Sequence, residues 1–267
     1  MKKNIPIGID NFYELVDPAE EFLFVDKSLM VKELIDEGAK VSLILRPRRW
    51  GKTINMSMLQ HFFAPKVKGR STKGMFDQLK IAKEQAGSYL KEQGAYPVIF
   101  ISFKNLNNPS WDVFFGDMEV IIADTYEEHA PVLMQSIELS DSQKMRYKTI
   151  LSESANESQL KNSIKFLSDC LFRHYNKNVI ILIDEYDAPL NAAYNKPDFE
   201  KLVDFLKGML GSSLKGNDAL KKGIMTGILR LSKNKMLSDL NNLILYSLAD
   251  EQYSQHFGFS KFLMIKS

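Results

Sequence analysis

The sequence predicts an α/β fold: a three-layer sandwich with a mainly parallel central sheet, covered by helices and carrying helical insertions. Three observations predict it. Short apolar runs at Val41–Leu45, Pro97–Phe103, Asn178–Ile183 and Gly223–Leu229 have strand length and alternate with longer stretches of helical spacing. The run Val179–Ile183 is apolar on both faces, as suits the interior of a parallel sheet. No internal repeat is present, and the alternation of strands with helices points to a layered architecture with right-handed crossovers.

Taken in order, the chain opens irregularly, and Asp26 then stands as N-cap of an amphipathic helix carrying Leu29, Val31, Leu34 and Ile35, which stops near Gly38. After the strand at Val41–Leu45 and an Arg/Pro-rich turn, Thr53–Phe63 places Ile54, Met58, Leu59 and Phe62 at helical spacing. Lys66–Gly74 is basic and glycine-containing and reads as a loop, followed by a helical region to about Gln93 and a turn at Gly94. Beyond the second strand, Trp111–Tyr147 is mostly helical, the polar stretch Leu151–Gln159 reads as a mobile loop, and Leu160–Tyr175 reads as a helix. A helix over Asp198–Leu210 and a Gly/Ser/Lys loop to Lys221 lead to the fourth strand.

Composition narrows the class. A chain of 267 residues with 45% hydrophobic and 25% charged residues buries a core without covalent staples. The organisation expected is one domain over residues 1–267: an N-terminal segment and helix at 1–38, a nucleotide-binding core at 39–260 and a divergent tail at 261–267. Cys170 is the single cysteine and reads as a buried structural thiol. No run reaches the roughly 18 apolar residues of a membrane span, and no signal-peptide pattern opens the chain, so the expectation is a cytoplasmic protein with no membrane contact. A net charge of +2 does not by itself indicate nucleic acid.

The chemistry is carried by two motifs. Arg46, Pro47, Arg48, Arg49, Trp50, Gly51, Lys52 and Thr53 match the second half of a phosphate-binding loop, with Gly-Lys-Thr opening a helix after an apolar strand. Backbone amides at the helix start suit phosphate oxygens, Lys52 suits the terminal phosphates, and the Thr53 hydroxyl suits magnesium. Arg46 stands where the pattern has its first glycine. Either it contacts phosphate and so offsets the roughly 1–2 kcal/mol that left-handed backbone costs a non-glycine residue, or the turn takes another shape. The plain alternative for the whole motif is a basic surface turn.

The second motif is the apolar strand ending in Asp184-Glu185, the arrangement that holds magnesium opposite a phosphate loop. Asp184 reads as the residue that binds the ion through water, and Glu185 as the catalytic base that orients and deprotonates the attacking water. The alternative is a pair of acids capping the next turn, and Asp187 stays open between a supporting and a surface role. At the end of the fourth strand Thr226 and Arg230 are candidate catalytic groups near the terminal phosphate. Arg230 reads equally as a solvated residue grouped with Lys233 and Lys235. The histidines show no metal-ligand spacing.

With these residues in hand the chain resembles the bacterial AAA-ATPase-like family, P-loop ATPases whose members often carry a restriction-nuclease-like domain after the ATPase region. The resemblance covers most of the chain. It rests on Ile5-Pro6-Ile7-Gly8 with Phe12-Tyr13, on Phe24–Ser28, on Arg46–Thr53, on Ile183–Leu190 and on Thr226–Lys233. It implies a P-loop NTPase sandwich in which Arg46 is the normal residue, and an extra strand between the phosphate-loop strand and the acidic strand, supplied by Pro97–Phe103. It also implies adenine contact near Phe24 and Val25. Phe257–Ser260 follows the family pattern, whereas Lys261–Ser267 leaves it, which reads as a truncated product or one half of a split system.

The function expected is therefore ATP binding with Mg2+ and hydrolysis that drives a conformational change. Two alternatives stay open. One is a nucleotide-dependent interaction module without useful turnover, recruiting a protein partner or a second copy of itself. The other is a nucleic-acid-associated ATPase remnant lacking its nuclease domain, using Lys66, Lys68, Arg70 and Lys73 on phosphates.

Overall fold

The computed structural model describes residues 4–17, 19–20, 22–228 and 241–258. The chain divides into two compact units: residues 1–38, 44–96 and 246–267 form one, and residues 39–43 with 97–245 form the other.

In the first unit Asn11 opens α1 (Phe12–Val16), its side-chain oxygen accepting the Tyr13 N–H at 3.0 Å. The next helix, α2 (Leu29–Asp36), turns Met30, Val31 and Leu34 inward. Asp26 is not its N-cap; Ser28 holds that position. The Asp26 carboxylate instead accepts the Ser28 N–H at 2.8 Å and the Lys80 N–H at 2.7 Å. It thereby joins the start of α2 to that of α4 (Lys80–Lys83). The strand β1 (Val41–Leu45) contributes its last two residues to this unit and leads to α3 (Lys52–Phe63), whose Met56, Met58, Leu59, Phe62 and Phe63 are buried. Phe76 anchors the core, stacked on Phe12 at 5.1 Å and edge-on to Phe62 at 4.9 Å. Within the expected loop at Lys66–Gly74 lies a short hairpin, β2 (Lys66–Val67) and β3 (Arg70–Ser71). Its central residues Lys68 and Gly69 have φ of 47° and 78°, the left-handed pair that a tight two-residue hairpin requires.

The second unit is built on a five-stranded, all-parallel sheet, where the sequence offered four apolar runs and a mainly parallel sheet. With β4 (Val98–Ser102), β5 (Val179–Asp184), β6 (Leu220–Gly227) and β7 (Leu243–Tyr246), the order is β4-β5-β6-β1-β7. Ser102 pairs with Asp184 at the end of the β4–β5 ladder, and Ile183 with Met225 in the β5–β6 ladder. All six residues of β5 are buried, which its unbroken apolar run requires.

One expectation about this sheet is overturned. The strand between β1 and β5 is β6, and β4 lies at the edge. At this contact the Gly223 N–H donates to the Lys40 carbonyl at 2.9 Å, and the missing Cβ of Gly223 leaves room for Leu214, which it would approach to 2.7 Å. The four-residue β7 was not anticipated, being too short to carry a periodic signal.

Helices of this unit are α5 (Trp111–Leu133), α6 (Asp141–Leu151), α7 (Glu157–Lys161), α8 (Ser163–Tyr175), α9 (Ala188–Ala193) and α10 (Phe199–Leu214). The polar stretch read as a mobile loop at Leu151–Gln159 instead ends α6 and starts α7. Asn156 and Gln159 cap each other's backbone N–H groups at 2.9 Å, so the polar residues are a helix start signal. The expected helix at Leu160–Tyr175 is likewise divided at Asn162, and α10 runs on to Leu214 through the stretch read as loop. Cys170 is fully buried, as expected, and burial pushes its thiol up to about 12.

Candidate nucleotide site

The phosphate-loop residues lie in the first unit. Strand β1 delivers Arg46, the turn follows, and α3 begins at Lys52 with Gly51 as N-cap at φ 77°. Gly51 carries no side chain to cap this helix start, and helix N-termini of this kind generally provide backbone amides to anions. Arg48, Arg49 and Trp50 are exposed, Lys52 is buried with its Nζ donating to the Pro47 carbonyl at 3.1 Å, and Thr53 is half-buried.

Arg46 resolves the choice left by the sequence in favour of a different turn shape. The left-handed residues are Arg49, at φ 65°, and Gly51, not Arg46. Arg46 is 1% exposed. Its guanidinium donates to the carbonyls of Leu45, Tyr246, Ser247 and Gln252 at 2.8, 3.2, 2.7 and 3.3 Å. It also lies 5.2 Å from the centre of the Phe257 ring. Burial draws its pKa below the usual guanidinium range.

The acidic motif lies in the second unit, at the carboxyl ends of β5 and β6. Asp184 is fully buried, and its Oδ1 accepts the Thr226 hydroxyl. The Glu185 N–H donates to Thr226 Oγ1 at 3.3 Å, and the Tyr186 N–H to the Thr226 carbonyl at 3.0 Å. Glu185 is half-buried with φ 53°, a left-handed backbone that costs a non-glycine residue roughly 1–2 kcal/mol.

Asp187 is not a surface residue. It is buried, and its Oδ2 accepts the Ile228 N–H and the Asn191 side-chain N–H, each at 3.1 Å. Gly227 makes this lacing possible: a Cβ there would stand 2.5 Å from the Tyr186 ring and 2.9 Å from Asp187. The sequence offered no signal for that lock beyond the glycine itself.

Of the remaining candidates, Arg230 lies outside the described residues. Phe24 meets Phe12 edge-on at 6.1 Å. Lys66, Lys68, Arg70 and Lys73 are exposed on and beside the hairpin, with Arg70 lying 4.9 Å over the Tyr13 ring.

Among the described residues no group of three or more His, Cys, Asp or Glu is arranged to hold a metal unaided. Also among the described residues, no helix is long and apolar enough to cross a membrane.

An all-parallel α/β sheet, a Gly-Lys-Thr helix start and paired acids at a strand end define a P-loop NTPase-like protein. The family described as Predicted AAA-ATPase matches residues 6–237, and the chain belongs to it. It is similar, at 25% identity over 269 positions, to an uncharacterized protein in the vnfD 5′ region of Azotobacter chroococcum mcd 1. That match covers 97% of this chain and 44% of the relative, so the chain spans less than half the relative's length. No solved structure matches.

Proposed function

We propose that this protein binds ATP with magnesium and hydrolyses it, using the turnover to drive a conformational change. The observation that carries the reading is the start of α3, where a left-handed Gly51 as N-cap places Lys52 and Thr53 in the first helical turn, on the turn that follows the buried strand β1. Membership of an ATPase-like family supports it.

In this reading the first amides of α3 bind phosphate oxygens and Lys52 spans the terminal phosphates, leaving its hold on the Pro47 carbonyl. Thr53 in the first unit and Asp184 in the second are each the kind of protein oxygen that would hold magnesium, which when bound would neutralise charge on the phosphates. Glu185 takes the proton of the attacking water, with its backbone fixed by Thr226. Thr226 acts by holding Asp184 in one orientation, which makes it a positioning residue.

Calorimetric titration of the wild type and of Lys52→Ala with MgATP tests the binding half. Saturable one-site binding that is lost in the variant is the expected result. Equal heats from both proteins, or none from the wild type, would remove the phosphate-loop reading.

A further inference from the structure

Residues 246–258 form a strap fastened at both sides within the first unit. On one side it meets the phosphate turn. Arg46 donates to the carbonyls of Tyr246, Ser247 and Gln252, and its guanidinium faces Phe257. Asn55 donates to the His256 carbonyl at 2.9 Å, and the Trp50 carbonyl accepts the Gly258 N–H at 3.1 Å. Gly258, at φ 69°, lies so close under the Trp50 ring that a Cβ would stand 3.1 Å from it. The strap therefore grips the turn before its first residue, in its middle and in the first turn of α3.

On the other side it meets α2. Glu33 accepts the Tyr253 N–H and pairs with His256 Nε2, both at 2.8 Å. Burial pushes the Glu33 carboxyl up, but its bonds to His256 and the Tyr253 amide outweigh that and hold it below the usual carboxylate range. Glu37 accepts the hydroxyls of Tyr253, at 2.6 Å, and of Tyr246. Lys27 adds a bond to the Gln255 carbonyl.

A phosphate contact needs donors turned toward the ligand, whereas the Arg46 donors end on chain carbonyls and the side chain is closed off from solvent. We propose that Arg46 is a positioning residue. It acts on nucleotide through the strap, so that the strap and the phosphate turn move as one body and the strap's fastening to α2 sets nucleotide affinity. The inference rests on the proposed ATP site at the turn. Linkage makes it reciprocal: a nucleotide that favours the fastened strap is itself favoured by fastening.

The test uses the full chain as wild type, Arg46→Lys, and Tyr246→Phe combined with Tyr253→Phe. The double variant keeps both rings and removes only the hydroxyls that reach Glu37. Hydrogen exchange of the 247–258 amides and MgATP affinity are read on each protein. The expected result is slower strap exchange in the wild type on adding MgATP, faster exchange in both variants, and affinity weakened about tenfold in Arg46→Lys, the scale of a lost charge-assisted bond. A several-fold loss is expected in the double variant.

A double variant with faster strap exchange and wild-type affinity would overturn the coupling while leaving the ATP site standing. Unchanged exchange in the double variant would overturn the fastening role of Glu37. A wild type that binds no MgATP would overturn the ATP reading itself and this inference with it. If Arg46→Lys does not fold, the double variant decides.

Discussion

Thr226 donates its hydroxyl to Asp184 Oδ1 and accepts the Glu185 N–H on the same oxygen, so one side chain on β6 fixes both acids at the end of β5. Asp187 returns the tie by accepting the Ile228 N–H just past β6. The two strand ends are thus laced in both directions, and the backbone strain at Glu185 is held in place by that lacing.

Thr226→Val removes the donor to Asp184 and the acceptor for Glu185 at nearly constant volume. It should destabilise the protein by about 1–3 kcal/mol, the cost of stranding buried polar partners. Thr226→Ser should recover most of that loss. Urea midpoints of the three proteins check this, and a Val variant as stable as wild type would mean the bond carries no weight.

Two glycine substitutions should act in opposite senses. Gly227→Ala drives a methyl into Tyr186 and Asp187 and should cost about 1–3 kcal/mol, as overpacking does. Gly116→Ala, in α5 with no atom within 4 Å of the new methyl, should stabilise by about 0.4–1 kcal/mol. Thermal unfolding of the pair distinguishes steric from entropic effects.

Stability should fall on the acid side of neutrality because of His129 on α5. Burial lowers its pKa to about 4, partly opposed by a backbone hydrogen bond with Val98, and its Nε2 is enclosed without a partner among the described residues. Between that value and the unfolded value of about 6.5, the unfolded chain binds more protons, so stability rises with pH across this window and is complete above it. Roughly 2 kcal/mol should be lost between about pH 7 and 5. The same loss measured in His129→Leu should be smaller by that amount; an identical pH profile for the two proteins would contradict the assignment.

How much of this was legible in the sequence depends on the range of the contacts involved. The strands at Val41–Leu45 and Val179–Asp184 were readable because continuous apolar runs bounded by polar residues leave few alternatives. The α3 start was readable because Gly-Lys-Thr is a local signal. Sheet order was not, since the placing of β6 beside β1 rests on backbone pairing between distant segments, which leaves no periodicity. The polar stretch before α7 misled for a related reason: Asn156 and Gln159 favour loops by composition but, three residues apart, build a capping box. The partners of Arg46 lie some two hundred positions away, so its burial had no local signature.

Whether the protein turns over ATP through Glu185, as we propose, is decided by phosphate release under single-turnover conditions. Wild type and Glu185→Gln are compared, with MgATP binding measured on the same samples. Equal binding is expected, with a rate at least about a hundredfold lower in the variant, the scale of a lost general base. Phosphate release at the wild-type rate by Glu185→Gln would remove Glu185 as the base, and tight binding with no release by either protein would make this a nucleotide-dependent interaction module.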